Sequence, residues 1–188
     1  MSIFDQFPIL ETERLLLRQI QPQDSTALFV ILSDAEVTRY LGVQPLYSMD
    51  EVEGLLPLFH LPYQTQSGIR WAITPKSGPD AGKLIGTCGL HRWQPDHYRA
   101  EIGYELARAY WGQGIMGAAL NTILDFGFST LGLNRIAAEV WAANTRSARF
   151  LEKQRFQSEG LLRQAEFVEG AFQDILIYAI LKKEFNQA

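Results

Sequence analysis

Tyr110-Trp111-Gly112-Gln113-Gly114-Ile115-Met116-Gly117 is the stretch on which the fold turns. It joins a run that reads as a strand, Tyr98 to Leu106, to the clearest helical period in the chain, Gly114 to Leu131. Glycines there remove the Cβ atoms that would hold a phosphate off the backbone, and the first turn of a helix offers unpaired N–H groups with a partial positive charge. Such a turn is an anion site, so the expected ligand carries phosphate. Gly112, Gly114 and Gly117 also satisfy GxGxxG, with Glu139 about twenty residues on, the pattern of a dinucleotide-binding unit. Three features count against that reading. Glu101 and Glu105 interrupt the apolar run expected of a buried parallel strand, Ala107 to Trp111 separate strand from glycines, and a hairpin precedes the unit. No Lys-Ser or Lys-Thr pair follows the glycines, which excludes a Walker A loop.

Working outward, Met116, Leu120, Ile123, Leu124, Gly127 and Leu131 share one helical face, with Asn121, Asp125 and Ser129 opposite. Gly132 reads as the stop, Arg135 to Trp141 as a strand and Asn144 to Lys153 as a short helix. Phe156 to Phe167 and Ala171 to Leu181 form a hairpin about Glu169-Gly170. Upstream, Ile69 to Thr74 and Lys83 to Trp93 flank the loop Pro75 to Gly82, and with Tyr98 to Leu106 they predict three antiparallel neighbours. Arg14 to Ile20 is a further strand, and Asp24-Ser25 opens a helix to about Leu32. Ser48, with Asp50 and Glu51 in the first turn, starts another helix, whose later half Pro57 and Pro62 are expected to make irregular. The order predicts one α/β (α+β) domain over residues 1–188, with its core at about 10–183. Its sheet is mixed and mostly antiparallel, with about seven strands flanked by helices.

The 188 residues, 47% hydrophobic and 12% aromatic, supply a core without disulfides or metal. Lys and Arg number 17 against 21 Asp and Glu, a formal charge of −4, so the basic excess needed to track nucleic acid is missing and cationic partners suit better. Cys88 stands alone and the three histidines are dispersed, which predicts neither a disulfide nor a metal cluster. Met1 to Pro8 lacks a basic region leading into an apolar one, and no stretch reaches ~18 uncharged apolar residues, so neither export nor membrane spanning is expected. A reducing cytosol is the expected setting. The sequence is compatible with a monomer and with a homodimer alike.

Several segments occur together in a telling order: Leu10-Glu11-Thr12-Glu13-Arg14-Leu15-Leu16-Leu17-Arg18, then Glu101-Ile102-Gly103-Tyr104, then the glycine turn. Asn144-Thr145-Arg146-Ser147 with Phe150-Leu151-Glu152-Lys153 follow, and Glu159-Gly160, Gly170, Asp174 and Tyr178 close the series. In this order the chain resembles, over nearly its whole length, the Gcn5-related N-acetyltransferases, and within them the branch that acetylates protein N-termini, including ribosomal-protein Nα-acetyltransferases. The resemblance implies the acyl-coenzyme A N-acyltransferase fold. It implies that Gly112, Gln113, Gly114, Ile115, Met116 and Gly117 bind the pyrophosphate of acetyl-coenzyme A, and that backbone N–H groups at Leu106, Ala107 and Arg108 serve as oxyanion and pantetheine donors. It further implies that Asn144 binds the pantetheine amides and that Ser147 protonates the leaving thiolate. The commoner use of Asn144 is as a helix cap, with Ser147 in the first turn. Trp111 and Met116 depart from the broader family but resemble this branch, and further departures are Ala118 where a Glu is usual and Arg155-Phe156 where Gly-Phe is usual. The Tyr that many relatives use as the acid falls at Leu151.

Acyl transfer from a thioester to an amine needs a neutral amine, a place for the developing oxyanion and a proton for the thiolate. At pH 7, neutralising a lysine with pKa ~10.4 costs about 4.6 kcal/mol, against about 1.1 for an α-amine near ~7.8. Glu101, Gly103 and Glu105 share one strand face, so Glu101 first, or Glu105, directly or through a water, can accept the ammonium proton. The alternative for Glu101 is a salt-bridged or solvated carboxylate. Cys88 reads as a buried strand thiol, and Arg146 and Arg149 as contacts to the coenzyme's phosphates or as solvated charges. The expected activity is direct acetyl transfer to a primary amine, a protein N-terminus or a small cationic amine, with a non-catalytic acyl-coenzyme A-binding module as the rival.

Overall fold

Leu15 and Leu17, Ile69, Trp71 and Ile73, and Cys88 and Leu90 recur at every second position in three runs, and strand side chains alternate between faces, so all seven belong on one side of a sheet. In the computed structural model, which describes residues 4–187, all seven lie buried in one cluster. Met1 to Ile3, part of the opening read above for a leader, and Ala188 lie outside the described residues. The strands are β1 (Leu10–Glu11), β2 (Leu15–Gln19), β3 (Ile69–Pro75), β4 (Gly86–Gln94), β5 (Arg99–Leu106), β6 (Arg135–Trp141), β7 (Gln157–Val168) and β8 (Ala171–Leu181). They form one sheet in the order β1-β2-β3-β4-β5-β6-β8-β7. Eight strands replace the seven or so expected, because β1 is two residues long and too short to show a period.

Helices α1 (Ser25–Leu32), α2 (Ala35–Thr38), α3 (Met49–Gln64), α4 (Ile115–Asp125), α5 (Thr145–Lys153) and α6 (Lys182–Phe185) complete the fold. Leu120, Ile123 and Leu124 of α4 pack on the face carrying Trp71 and Leu90, where each fully buried Leu or Ile contributes about 1.5–3 kcal/mol. Leu28, Ile31 and Val52 of α1 and α3 form a second cluster with Ala72, so helices cover both faces. The helix predicted to run to Leu131 passes at Phe126–Thr130 into a π-helical turn, which carries the consecutive residues Phe126, Gly127 and Phe128 into the core. Another correction concerns α3, which runs unbroken to Gln64 through Pro57 and Pro62. Each proline deprives the carbonyl four residues back of its donor, and those residues, Glu53 and Leu58, are exposed, so water can satisfy the freed groups. At the β7–β8 turn Glu169 and Gly170 both have positive φ, as a two-residue hairpin turn requires.

Every neighbouring pair is antiparallel except β5 with β6, which are parallel and joined through α4. That pairing covers only Arg99↔Arg135 to Glu101↔Ala137. Beyond it the two strands continue, to Leu106 and Trp141, without pairing to each other.

Candidate active site

Where β5 and β6 part company, a cleft of about 950 Å³ opens, walled by both strands, the glycine turn, α5 and the end of β4. Because side chains alternate along β5, its two faces present different chemistry to this gap. Glu101, Gly103 and Glu105 lie on the side of α3, whose Phe59 ring sits beneath the Arg70 guanidinium that pairs with Glu105. Tyr104 points to the opposite side, where Phe150 and Ser147 of α5 meet it.

The two carboxylates predicted as alternative bases are in unlike surroundings. Glu105 is 7% exposed, with one oxygen taken by Arg70 and the other by the Thr87 hydroxyl. Glu101 is half-buried in the cleft, 3.0 Å from Arg92 Nη1 and 3.5 Å from His91 Nε2. Arg92 also reaches Glu139 of β6 at 3.5 Å. Burial, then Arg70 and Arg92, push the His91 imidazole down from 6.5 to about 4. Two guanidiniums and desolvation outweigh the Glu139 carboxylate, so His91 stands neutral beside Glu101 at neutral pH. Its ring occupies the room left by Gly103, where a Cβ would sit 3.2 Å from the His91 Cε1 atom.

At the other end of the cleft, Gly112 and Gly114 have φ of +76° and +75°, a left-handed conformation that glycine adopts without penalty. Gly114 is the residue before α4, so the amides of Ile115, Met116 and Gly117 have no acceptor within the helix. Among the described residues nothing lies within 4 Å of the Cβ position of Gly112, and an Arg14 Nη atom is the nearest group to that of Gly114, at 3.8 Å. Arg146 stacks on Trp111, its Cζ 3.9 Å from the ring centroid, while Arg149 and Lys153 line the same wall. A cradle of free amides flanked by cations fits a diphosphate.

Asn144 does cap α5, its Oδ1 accepting the Ser147 amide at 3.1 Å, and both residues line the cleft. Leu151, where the family resemblance would place the Tyr that many relatives use as the acid, is fully buried in the main core.

Glu101, Leu106, Gly112, Gly114, Ile115, Met116, Gly117, Asn144 and Ser147 are thus brought to one cleft, whereas Ala107, Arg108 and Gln113 do not line it. The Ala107 amide donates to the Ile85 carbonyl at 2.8 Å and is no longer available as an oxyanion donor. That bond flanks the Gly86↔Leu106 pair, so the Leu106 amide faces away from β4, into the gap left by β6. Arg108 turns outward to Asp34 at 3.2 Å, and the Gln113 side chain donates to the Ala109 carbonyl at 2.8 Å. Sequence reasoning missed His91, Arg14 and Tyr104. The hairpin register, which sets His91 opposite Glu101, could have found the first; Arg14 and Tyr104 meet their partners only through the packing of the elements.

A family model described as an acetyltransferase (GNAT) domain matches residues 14–157. An N-acetyltransferase of Bacillus subtilis (strain 168) termed YoaA, itself uncharacterised, is 43% identical over 176 residues, covering 94% of this chain and 98% of the relative. The ribosomal-protein-serine acetyltransferase of Escherichia coli (strain K12) is 34% identical over 97 residues, 52% of this chain and 54% of that protein. Among solved structures, the spermidine N-acetyltransferase of Vibrio cholerae in complex with CoA and spermine superposes with a TM-score of 0.77 at 26% identity, covering 93% of this chain and 99% of that one.

Proposed function

This chain belongs to the GNAT acetyltransferase family, and from that premise we propose that it transfers acetyl from acetyl-coenzyme A directly onto a protein N-terminal α-amine. The observation that carries the reading is the gap between β5 and β6: free amides and cations at one end, a carboxylate and a neutral imidazole at the other. Acetyl-coenzyme A supplies the acetyl group as a thioester. The amides of Ile115 to Gly117, with Arg14 and Arg146, hold its diphosphate, and Asn144 meets the pantetheine arm. Glu101 accepts the proton of the incoming ammonium, on the α3 side of the sheet. The Leu106 amide, unclaimed by β4, donates to the thioester oxygen as charge grows there. Ser147, on the α5 side, returns a proton to the departing thiolate. Proton removal and proton delivery are thereby separated by the strand itself.

An α-amine asks less of Glu101 than a lysine, by about 3.5 kcal/mol at pH 7. The ribosomal-protein-serine acetyltransferase among the relatives supports the same acceptor. A second reading, a polyamine acceptor, draws on the carboxylates Glu36, Glu139 and Glu166 around the acceptor end and on the spermidine enzyme's similarity. The proposed setting is the cytosol, where the buried free thiol of Cys88 stays reduced. The deciding experiment follows thiol release with acetyl-coenzyme A and either peptides beginning Ser or Ala, or spermidine. Peptide kcat/KM at least about tenfold above that for spermidine supports the first reading, and the reverse order supports the second. Binding of acetyl-coenzyme A with no thiol release for any amine defeats both and leaves a binding module.

A further inference from the structure

The geometry points to a proton relay in which Tyr104, a positioning residue on β5, orients the Ser147 hydroxyl and replaces the proton that Ser147 gives to the thiolate. This rests on the acetyltransferase reading and answers a question which that reading leaves open. A serine hydroxyl is a far weaker acid than a thiol, so Ser147 acting alone would be left as an alkoxide.

Tyr104 Oη and Ser147 Oγ lie 2.8 Å apart, a full hydrogen bond between two hydroxyls that both border the cleft. Burial pushes the Tyr104 phenol up, so it rests protonated and available as the donor. When Tyr104 donates to Ser147 Oγ, the serine's own proton is free to point elsewhere, and Ser147 sits on the cleft wall where the sulfur arrives. Phe150 meets the Tyr104 ring edge-on, with centroids 5.2 Å apart at 73°, which fixes the ring and hence its hydroxyl. The bond spans two elements 43 residues apart in sequence and ties the open end of β5 to the first turn of α5.

The carbon–sulfur bond breaks and its electron pair leaves with sulfur. Sulfur takes the Ser147 proton, Ser147 Oγ takes the Tyr104 proton, and the transient phenolate recovers a proton from water as the thiol departs. A phenol, ordinarily near ~10, is a better terminus for the missing proton than an alcohol, even after burial has raised it. The tyrosine role that position 151 cannot fill, with Leu151 in the core, is therefore supplied from the strand through a serine.

The test uses the full chain with Tyr104→Phe, Ser147→Ala and the double variant, each assayed for thiol release and thermal stability with the acceptor that the wild type turns over. Tyr104→Phe keeps the ring against Phe150 and removes only the hydroxyl. The expected result is a fall in kcat of about ten- to a hundredfold, with KM for acetyl-coenzyme A and the melting temperature held and the double variant no slower than Ser147→Ala alone. Two links in series fail together; independent roles multiply. A kcat for Tyr104→Phe within about twofold of wild type, or multiplicative losses in the double variant, overturns the relay while leaving the acetyltransferase reading intact. A wild type that releases no thiol with any amine overturns that reading, and the relay with it.

Discussion

The guanidinium of Arg146 lies over the indole of Trp111, Cζ to centroid 3.9 Å, and that indole is itself anchored by its Nε1 donating to the Leu106 carbonyl at 2.8 Å. A surface arginine on α5 is thereby held beside the glycine turn rather than left to solvent. Arg146→Ala should raise KM for acetyl-coenzyme A about three- to tenfold with kcat little changed, the size expected of one stacked, phosphate-facing cation. Steady-state kinetics at two salt concentrations check it, the difference narrowing at high salt.

Glu101 and Glu105 share a strand face but not a job. Removing the charge of Glu105 strands Arg70 in a mostly buried pair, so Glu105→Gln should cost about 2–3 kcal/mol, a melting-temperature loss of roughly 5–10 °C. Glu101→Gln weakens an exposed contact to Arg92 and a longer one to the neutral His91, and should leave stability within about 0.5 kcal/mol, yet lower kcat about a hundredfold. Calorimetry and turnover on the same two variants decide it. A Glu101→Gln rate unchanged across about pH 6–9, where an α-amine titrates, removes Glu101 as the base.

Acidification should weaken the fold through His91. The unfolded chain takes up a proton near pH 6.5, while the native imidazole resists until about 4, so stability is fully present above 6.5 and falls as pH drops toward 4. His91→Gln should flatten that limb of the stability curve, measured by denaturant titration at half-unit steps between pH 7 and 4.

Arg155 follows α5 at a left-handed position, its φ being +67°, where the family resemblance leads one to expect glycine. The side chain reaches the carbonyls of Glu184 and Phe185 at 3.4 Å, long contacts that offset little of the left-handed strain. Of two variants that both lose those contacts, Arg155→Gly should be more stable than Arg155→Ala by about 1 kcal/mol, or about 2–4 °C in melting temperature. Nothing in the structure explains the absence of the usual Glu at Ala118.

Much of the architecture was legible residue by residue. Alternation in Ile69 to Thr74 and the 3.6-residue period from Met116 to Leu124 each concern one element, and burying one face of it is a local requirement that the sequence must encode. The prolines of α3 misled because their effect depends on whether the freed carbonyls meet water, and exposure is a property of the assembled molecule. The π-helical turn after Asp125 was hidden for a related reason: a helical period read to Leu131 cannot report the wider turn that seats Phe126 to Phe128 in the core.

For the site, the sequence by itself determined the glycine turn, the carboxylates on one face of β5 and the pairing of Asn144 with Ser147 on one helical turn, all set by spacing along a single element. Only the tertiary structure decided which carboxylate is locked and which is open, that the Ala107 amide is consumed, that His91 stands neutral beside Glu101, and that Tyr104 meets Ser147. The division is physical. Periodicity fixes which way a side chain faces, whereas hydrogen-bond partners and desolvation arise between elements far apart in the chain, once the strands have chosen their register and the helices have closed over them.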